Sequence, residues 1–125
     1  MIKLKNKEAS ALLSPTAQML FSDSKRQFPV KDSFLILDLI KMIEERLKPF
    51  NEKIKEIISE YNGLILPDGR IKFPPDKNSN EALNKISELN NTELEYSFEK
   101  LTIKDSWPKL SVQEAHILQP IISRD

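Results

Sequence analysis

The chain has 125 residues, of which 39% are hydrophobic and 30% are charged, so it has the apolar material for one core and is not disordered. Its 19 basic and 19 acidic side chains cancel, which argues against a protein that binds DNA through a basic surface. Cysteine is absent, which excludes disulfides, thiolate metal sites and a cysteine nucleophile.

Length and hydropathy also bear on domain organisation and compartment. A chain of this size is one ordinary domain, so we expect a single domain over residues 1–125. No apolar run approaches the roughly 20 residues that cross a bilayer. The segment 1–7 is basic and lacks the apolar stretch of a signal peptide. We therefore expect no membrane partner and a cytoplasmic location.

Residues 1–22 predict a strand followed by helix. Ile2 and Leu4 alternate with lysines, which indicates a short strand with one solvated face. Asn6 is suited to cap a helix that runs to about residue 22. Pro15 follows a serine, a pattern typical of a helix start. The helix is therefore expected to kink or restart near Pro15.

The strongest pattern in the chain is a 4-3 spacing of apolar residues, which forms one stripe along a helix. Its members are Ile36, Ile40, Ile43, Leu47, Phe50, Ile54, Ile57 and Tyr61. The spacing keeps its phase across Pro49, so we predict one helix over about residues 31–61, bent within a turn of Pro49. The stripe would pack on the protein's own helices or, alternatively, form a homo-oligomeric coiled coil.

The beginning of this long helix is apolar on nearly all sides. Six of the seven residues in the segment 34–40 are apolar, and a helix that is apolar all round must be covered all round. The first helix and the sheet could cover it, but a partner surface is the simpler cover. We therefore predict Phe34, Leu35, Leu37 and Leu39 as contacts with a partner protein or a second copy.

The segment after the long helix predicts a turn and a hairpin. Asn62 and Gly63 are typical of a helix C-terminus. Apolar residues over 64–73 flank Asp68 and Gly69, a pair that favours a type I′ turn because both central residues need positive φ. We therefore predict a β-hairpin with its turn at this pair.

The last third of the chain predicts a helix, a strand and a further helix. Asp76 or Ser79 would cap the first of these helices. Residues 92–103 alternate, which predicts one long strand with a bulge near its end. Ser111 and Glu114 have the spacing of a capping box at the start of the last helix.

Taken together, these elements predict an α+β protein. We expect a helical hairpin with a long bent helix, packed with a small, mostly antiparallel sheet and two shorter helices.

Few residues in the chain could carry chemistry. His116 is the only histidine and cysteine is absent, which argues against a zinc site. We expect His116 to be a surface or half-buried residue of the last helix. Glu93, Glu95 and Glu99 share one face of the predicted strand, which could bind Mg²⁺ but more often is the solvated face of a sheet. We therefore expect no catalytic residue, no metal and no cofactor. Trp107 would be either a core residue or an exposed anchor, and we retain it as a candidate interface residue.

Two short basic clusters leave a weak nucleic-acid interpretation open. Lys25 and Arg26 lie near Phe28, and basic residues beside an aromatic can hold a nucleic-acid backbone. The other cluster consists of Lys3, Lys5 and Lys7. In a neutral protein such clusters are weak signals, so nucleic acid is not the favoured partner.

The order of motifs resembles small proteins encoded by tailed phages and prophages beside genes for virion structure and assembly. The motifs, in order, are residues 1–6 before a leucine-rich helix, 28–31 opening a long charged helix, 61–63 ending it, a hairpin closing on 74–75, and 91–95 before a final helix from 110–114. The resemblance covers nearly the whole chain and concerns structural motifs, so it implies no functional residue.

This resemblance and the apolar segment together predict a non-enzymatic phage-type structural or assembly protein. It would act through protein–protein contacts as a homo-oligomer, in the host cytoplasm or in the virion. A phage-encoded inhibitor of a host or defence enzyme is one alternative, and a weak nucleic-acid binder is another.

Overall fold

A computed structural model describes residues 1–75 and 78–123 of the chain. The elements, in chain order, are β1 (Ile2–Lys5), α1 (Asn6–Leu12), α2 (Pro15–Ser22), α3 (Val30–Glu60), β2 (Leu64–Ile65), β3 (Ile71–Lys72), α4 (Ser79–Asn91), β4 (Glu93–Tyr96), β5 (Leu101–Thr102), α5 (Val112–Leu118), a 3₁₀ turn (Gln119–Ile121) and β6 (Ile122–Ser123). Helices and strands are mixed along the chain, which confirms the predicted α+β class.

The first strand forms as its alternating pattern predicts. β1 pairs antiparallel with β4, and Leu4 lies opposite Leu94 in the register. Ile2 and Leu4 are buried, while Lys3 faces solvent. The period of two along the strand therefore separates the core face from the solvated face.

The chain restarts its helix at Pro15, one of the two expected outcomes. Ser14 caps α2, and its hydroxyl accepts the backbone N–H three residues further on, 3.3 Å away. Asn6 is not the cap that the sequence suggested, because it is the first helical residue of α1 and is buried. Its side-chain amide donates to the carbonyl of Leu89 at 2.8 Å, so it joins α1 to the end of α4.

The prediction of one long helix is confirmed, because α3 is continuous through Pro49. The bend at this proline stays a prediction. The buried stripe of α3 consists of Ile36, Leu39, Ile43, Leu47, Phe50 and Ile57. Ile58 is buried as well, and Ile40 is partly buried against the same core. Leu39 therefore widens the predicted stripe and does not replace Ile40.

Asn62 and Gly63 follow the C-terminal end of α3, and their backbone groups close it. Asn62 has a φ of 56°, the left-handed conformation of a helix C-cap. The N–H of Gly63 donates to the carbonyl of Ile58 at 2.7 Å, and the N–H of Asn62 donates to that of Ser59 at 3.2 Å. These two bonds are the Schellman arrangement, so the backbone groups at the helix end are paired.

The hairpin of β2 and β3 forms, but its turn differs from the predicted one. Only Gly69 of the expected pair has positive φ, at 87°, so the turn is not type I′. Leu66 accepts the N–H of Gly69 at 2.8 Å and donates its own N–H to Arg70 at 2.7 Å. Such a three-residue loop ends in a left-handed glycine. Pro67 fits its first position because its fixed φ suits that place.

The predicted long strand over residues 92–103 is wrong, because the structure divides this segment between β4 and β5. β4 pairs residue for residue with the four residues of β1 and ends at Tyr96. The N–H of Phe98 then turns back to donate to the carbonyl of Tyr96. β5 belongs to another sheet, parallel to β6. Within the described ranges the strands form three separate pairs, two antiparallel and one parallel.

The last helix begins as its sequence predicts. The hydroxyl of Ser111 accepts the N–H of Glu114 at 3.1 Å, and the N–H of Ser111 donates to Oε1 of Glu114 at 2.8 Å, which confirms the capping box. The other predicted cap differs, because Asn78 lies at the N-cap of α4 and Ser79 is its first helical residue. Asp76 lies outside the described residues.

One apolar core joins these elements. It contains buried residues from β1, α1, α2, α3, β4, β5 and α5, from Ile2 to Ile121. None of the helices in the described ranges is long and apolar enough to cross a membrane.

Candidate interaction surface

The first turns of α3 present three apolar side chains to solvent. Val30, Phe34 and Leu37 are 73%, 64% and 44% exposed. Their spacing of four and three places them on one face of the helix. The opposite face of the same segment enters the core through Ile36 and Leu39. The segment is therefore apolar on both sides, but the chain covers only one of them.

A groove runs beside these side chains, between α2, the loop over residues 23–29 and α3. Its outer part has a volume of about 290 Å³ and is lined by Val30, Phe34 and Leu37 together with Phe21 and Phe28. An inner part of about 140 Å³ continues between the same two phenylalanines and α3. We call the exposed residues and this groove the Phe34 surface.

Aromatic packing holds one wall of the groove in place. The rings of Phe21 and Phe28 have centroids 6.1 Å apart. The rings of Phe28 and Trp107 have centroids 5.0 Å apart and an interplanar angle of 83°, an edge-to-face arrangement. Edge-to-face pairs of this kind add to the energy of apolar burial. The groove therefore has a wall anchored in the core.

Charged groups form one rim of the groove. Arg26 donates through Nε to Oδ2 of Asp23 at 3.0 Å and through a terminal nitrogen to Oε1 of Glu114 at 2.8 Å. Backbone bonding from Lys25 and the bond from Arg26 lower the pKa of Asp23. The bond to Ser111 N–H and then the bond from Arg26 lower the pKa of Glu114. The two carboxylates in turn raise the pKa of Arg26, Glu114 having the larger effect.

Trp107 is not part of the exposed surface, which corrects its place among the candidate interface residues. It is 8% exposed, and its indole N–H donates to Oδ2 of Asp32 at 2.8 Å. Burial of the indole is possible because its one polar group has this acceptor. Asp32 is itself buried, and it lies in the first turn of α3, where a carboxylate is favourable. No pattern in the sequence indicated this pair, since the partners are 75 residues apart.

Leu39 is the second correction, because it is 1% exposed and belongs to the core. Charge placed there would disrupt the fold and could not report on association. Leu35 is 37% exposed and does not line the groove, while Phe34 and Leu37 do. Val30 was missed, although its position four residues before Phe34 on the helix was a usable signal.

The structure also places the other candidate residues of the sequence, which are the strand glutamates and the histidine. Glu93 and Glu95 lie opposite Lys5 and Lys3 in the β1–β4 register, so the acidic strand face is a neutral cross-strand pattern. His116 is exposed on α5. Among residues 1–75 and 78–123, no three His, Cys, Asp or Glu side chains are grouped so as to hold a metal ion.

The basic cluster near Phe28 also differs from a phosphate-binding patch. Arg26 is engaged by two carboxylates, Asp23 and Glu114, so one of the two cations of this cluster is already paired. The groove is therefore apolar with a charge-paired rim, which suits a protein surface better than a nucleic-acid backbone.

No protein-family model, curated protein or solved structure matches this chain.

Proposed function

We propose that the protein is a non-enzymatic structural or assembly protein that acts through protein contacts, and that it binds a second copy of itself through the Phe34 surface. The observation that carries the proposal is the exposure of Phe34 beside an aromatic groove. Fully burying a phenylalanine or leucine side chain instead of leaving it in water contributes about 1.5–3 kcal/mol. Exposed apolar patches with a polar rim are typical of interaction sites.

A second copy is the occupant because the surface is complementary to itself. In a two-fold dimer the same patch must supply both the protruding group and its receptor. Phe34 protrudes, and the adjacent groove of about 290 Å³ is large enough for one ring, since a cavity of about 150 Å³ already holds benzene. The rim carries Asp23 and Arg26, charges of both signs, which two-fold symmetry can bring face to face. The net charge of zero adds no long-range repulsion between copies.

The test is the mass in solution of the wild type and of two variants. Phe34→Glu places a charge at the centre of the surface, and Leu83→Glu places the same charge on α4. Leu83 is a matched control because it is also exposed, at 51%. It lies on α4, which packs beside the C-terminal end of α3, about 35 Å from Phe34 along the axis of that helix. We expect sedimentation velocity to show a dimer for the wild type and Leu83→Glu and a monomer for Phe34→Glu. A wild type that stays monomeric over the same concentrations as Phe34→Glu would contradict the proposal.

A role in phage assembly is supported by the resemblance of the motif order to small phage-encoded proteins. A virion component co-purifies with phage particles through a density gradient, whereas an inhibitor is recovered bound to a host enzyme. Antibody detection across gradient fractions and pull-down read by mass spectrometry therefore distinguish the two roles. Recovery with a host enzyme and absence from particles would favour the inhibitor.

A further inference from the structure

A second cleft lies away from the Phe34 surface, and it is lined by cations. It has a volume of about 650 Å³ and lies between α1, the segment before β5 and the end of α5. Lys7 comes from α1, Lys100 from the segment before β5, and His116 and Gln119 from the last helical turns. No residue of this cleft lines the groove of the Phe34 surface.

The charged side chains of the cleft are two lysines and one glutamate. Within the described ranges neither Lys7 nor Lys100 forms an ion pair. Glu8 is the one acidic residue of the lining, and its Oε1 already accepts the backbone N–H of Lys5 at 2.8 Å. Glu8 keeps its negative charge, so the lining has two ammonium groups against one carboxylate, with an imidazole and an amide beside them.

The rest of the lining is apolar. Ala11, Ile117 and Pro120 form one side of the cleft. Ligand sites in proteins are concave spaces of about 300–1,000 Å³ in which apolar walls accompany a few polar groups. The cleft has a volume in this range, and its lining combines apolar walls with a few polar side chains.

We infer that the cleft binds a small organic phosphate. A phosphate monoester carries a charge of about −1.5 to −2 near neutral pH. The cationic side chains of the lining outnumber its one carboxylate, and phosphate oxygens accept charge-assisted hydrogen bonds from ammonium groups. Gln119 and His116 supply further polar contacts, while the organic part lies against Ile117 and Pro120. The site is independent of the proposed dimer contact.

The test is a titration of the ¹⁵N-labelled full chain with phenyl phosphate, followed by amide NMR shifts. We expect the amides around Lys7, Lys100 and Ile117 to shift together with one dissociation constant. Phenol and inorganic phosphate, which each lack one half of the ligand, should bind about tenfold more weakly or worse. Equal binding of either fragment would overturn the inferred pairing of cationic and apolar walls, and so would an absence of shifts at these residues.

A double variant with a matched control tests the role of the lysines. Lys7→Gln with Lys100→Gln should weaken binding about tenfold or more, because both charge-assisted contacts are lost. Lys41→Gln with Lys48→Gln removes the same charge from the exposed side of α3 and should leave the dissociation constant unchanged. All four lysines are exposed, so both variants keep the fold. Equal weakening in the two double variants would reduce the effect to net charge and overturn the site.

Discussion

At the scale of single residues, Trp107 and Asp32 form the most consequential buried polar contact. Trp107 is the only tryptophan in the chain, so its fluorescence reports on its own surroundings. The indole N–H has a carboxylate acceptor at 2.8 Å in a region where water does not reach either partner freely. A buried donor that loses its acceptor retains the full cost of its desolvation.

Removing the acceptor should therefore destabilise the fold. We expect Asp32→Ala to lower the free energy of unfolding by about 1–3 kcal/mol, measured by urea titration with the tryptophan fluorescence as the signal. Asp32→Asn keeps an oxygen acceptor of similar shape and should recover most of the loss. If Asp32→Ala unfolds at the same urea concentration as the wild type, the indole bond contributes nothing measurable to stability.

At the scale of elements, the end of α3 shows why two adjacent residues cannot exchange roles. Asn62 takes the left-handed conformation, while Gly63 has no positive φ. Gly63 is needed for a different reason, because a Cβ there would lie 2.7 Å from Cε1 of Phe73 and 3.0 Å from Cγ2 of Ile58. The glycine thus lets the hairpin pack closely against the helix end.

Because Asn62 and Gly63 have different roles at the helix end, substitutions at the two positions should have different effects on stability. Gly63→Ala should lower the free energy of unfolding by about 1–3 kcal/mol, the usual cost of overpacking. Asn62→Gly should not destabilise, because glycine adopts positive φ without steric cost. Thermal unfolding followed by circular dichroism measures both. A stabilising Gly63→Ala would show that Phe73 moves aside freely.

Local signals in the sequence predicted the elements that local interactions form. The strand of alternating residues 2–5, the continuous helix through Pro49 and the capping box at Ser111 each depend on residues within a few positions of one another. The strand over 92–103 was wrong because its end is set by its partner, and β1 offers only four residues for pairing. Alternation alone carries no information about the length of a strand 90 residues away.

The candidate surface was predictable to the same extent. The apolar segment over residues 34–40 located the surface, and Phe34 and Leu37 are exposed there. Which members of the segment face solvent depends on how α3 is rotated against the core, and the strict 4-3 stripe left out Leu39, which is buried beside it. The burial of Trp107 depended on an acceptor 75 residues earlier, which no spacing rule can supply.

At the scale of the whole molecule, an ion-paired cluster joins parts of the chain that are distant in sequence. Arg26 precedes α3, and Glu114 lies in the first turn of α5, 88 residues later. Both Glu114 and Asp23 have pKa values below their ordinary values of 4.5 and 3.8. The unfolded chain therefore binds protons more readily at these carboxylates than the folded chain does. Their contribution to stability is present above the ordinary values and is lost as the pH falls through the lowered ones.

This sign gives a test that separates the cluster from the many other carboxylates in the chain. Glu114→Gln removes the ionised partner of Arg26, so at pH 7 the variant should unfold at a lower urea concentration than the wild type. As the pH falls through the lowered pKa of Glu114, the wild-type carboxylate itself becomes neutral, so the difference between the two unfolding midpoints should shrink. Asp68→Asn is the matched control, because Asp68 pairs with Arg70 at 2.6 Å but both are largely exposed, and such pairs contribute about 0–1 kcal/mol. A Glu114→Gln difference that stays constant from pH 7 down to the lowest pH at which both proteins fold would mean that the shape of the side chain, and not its charge, holds α5 against the loop before α3.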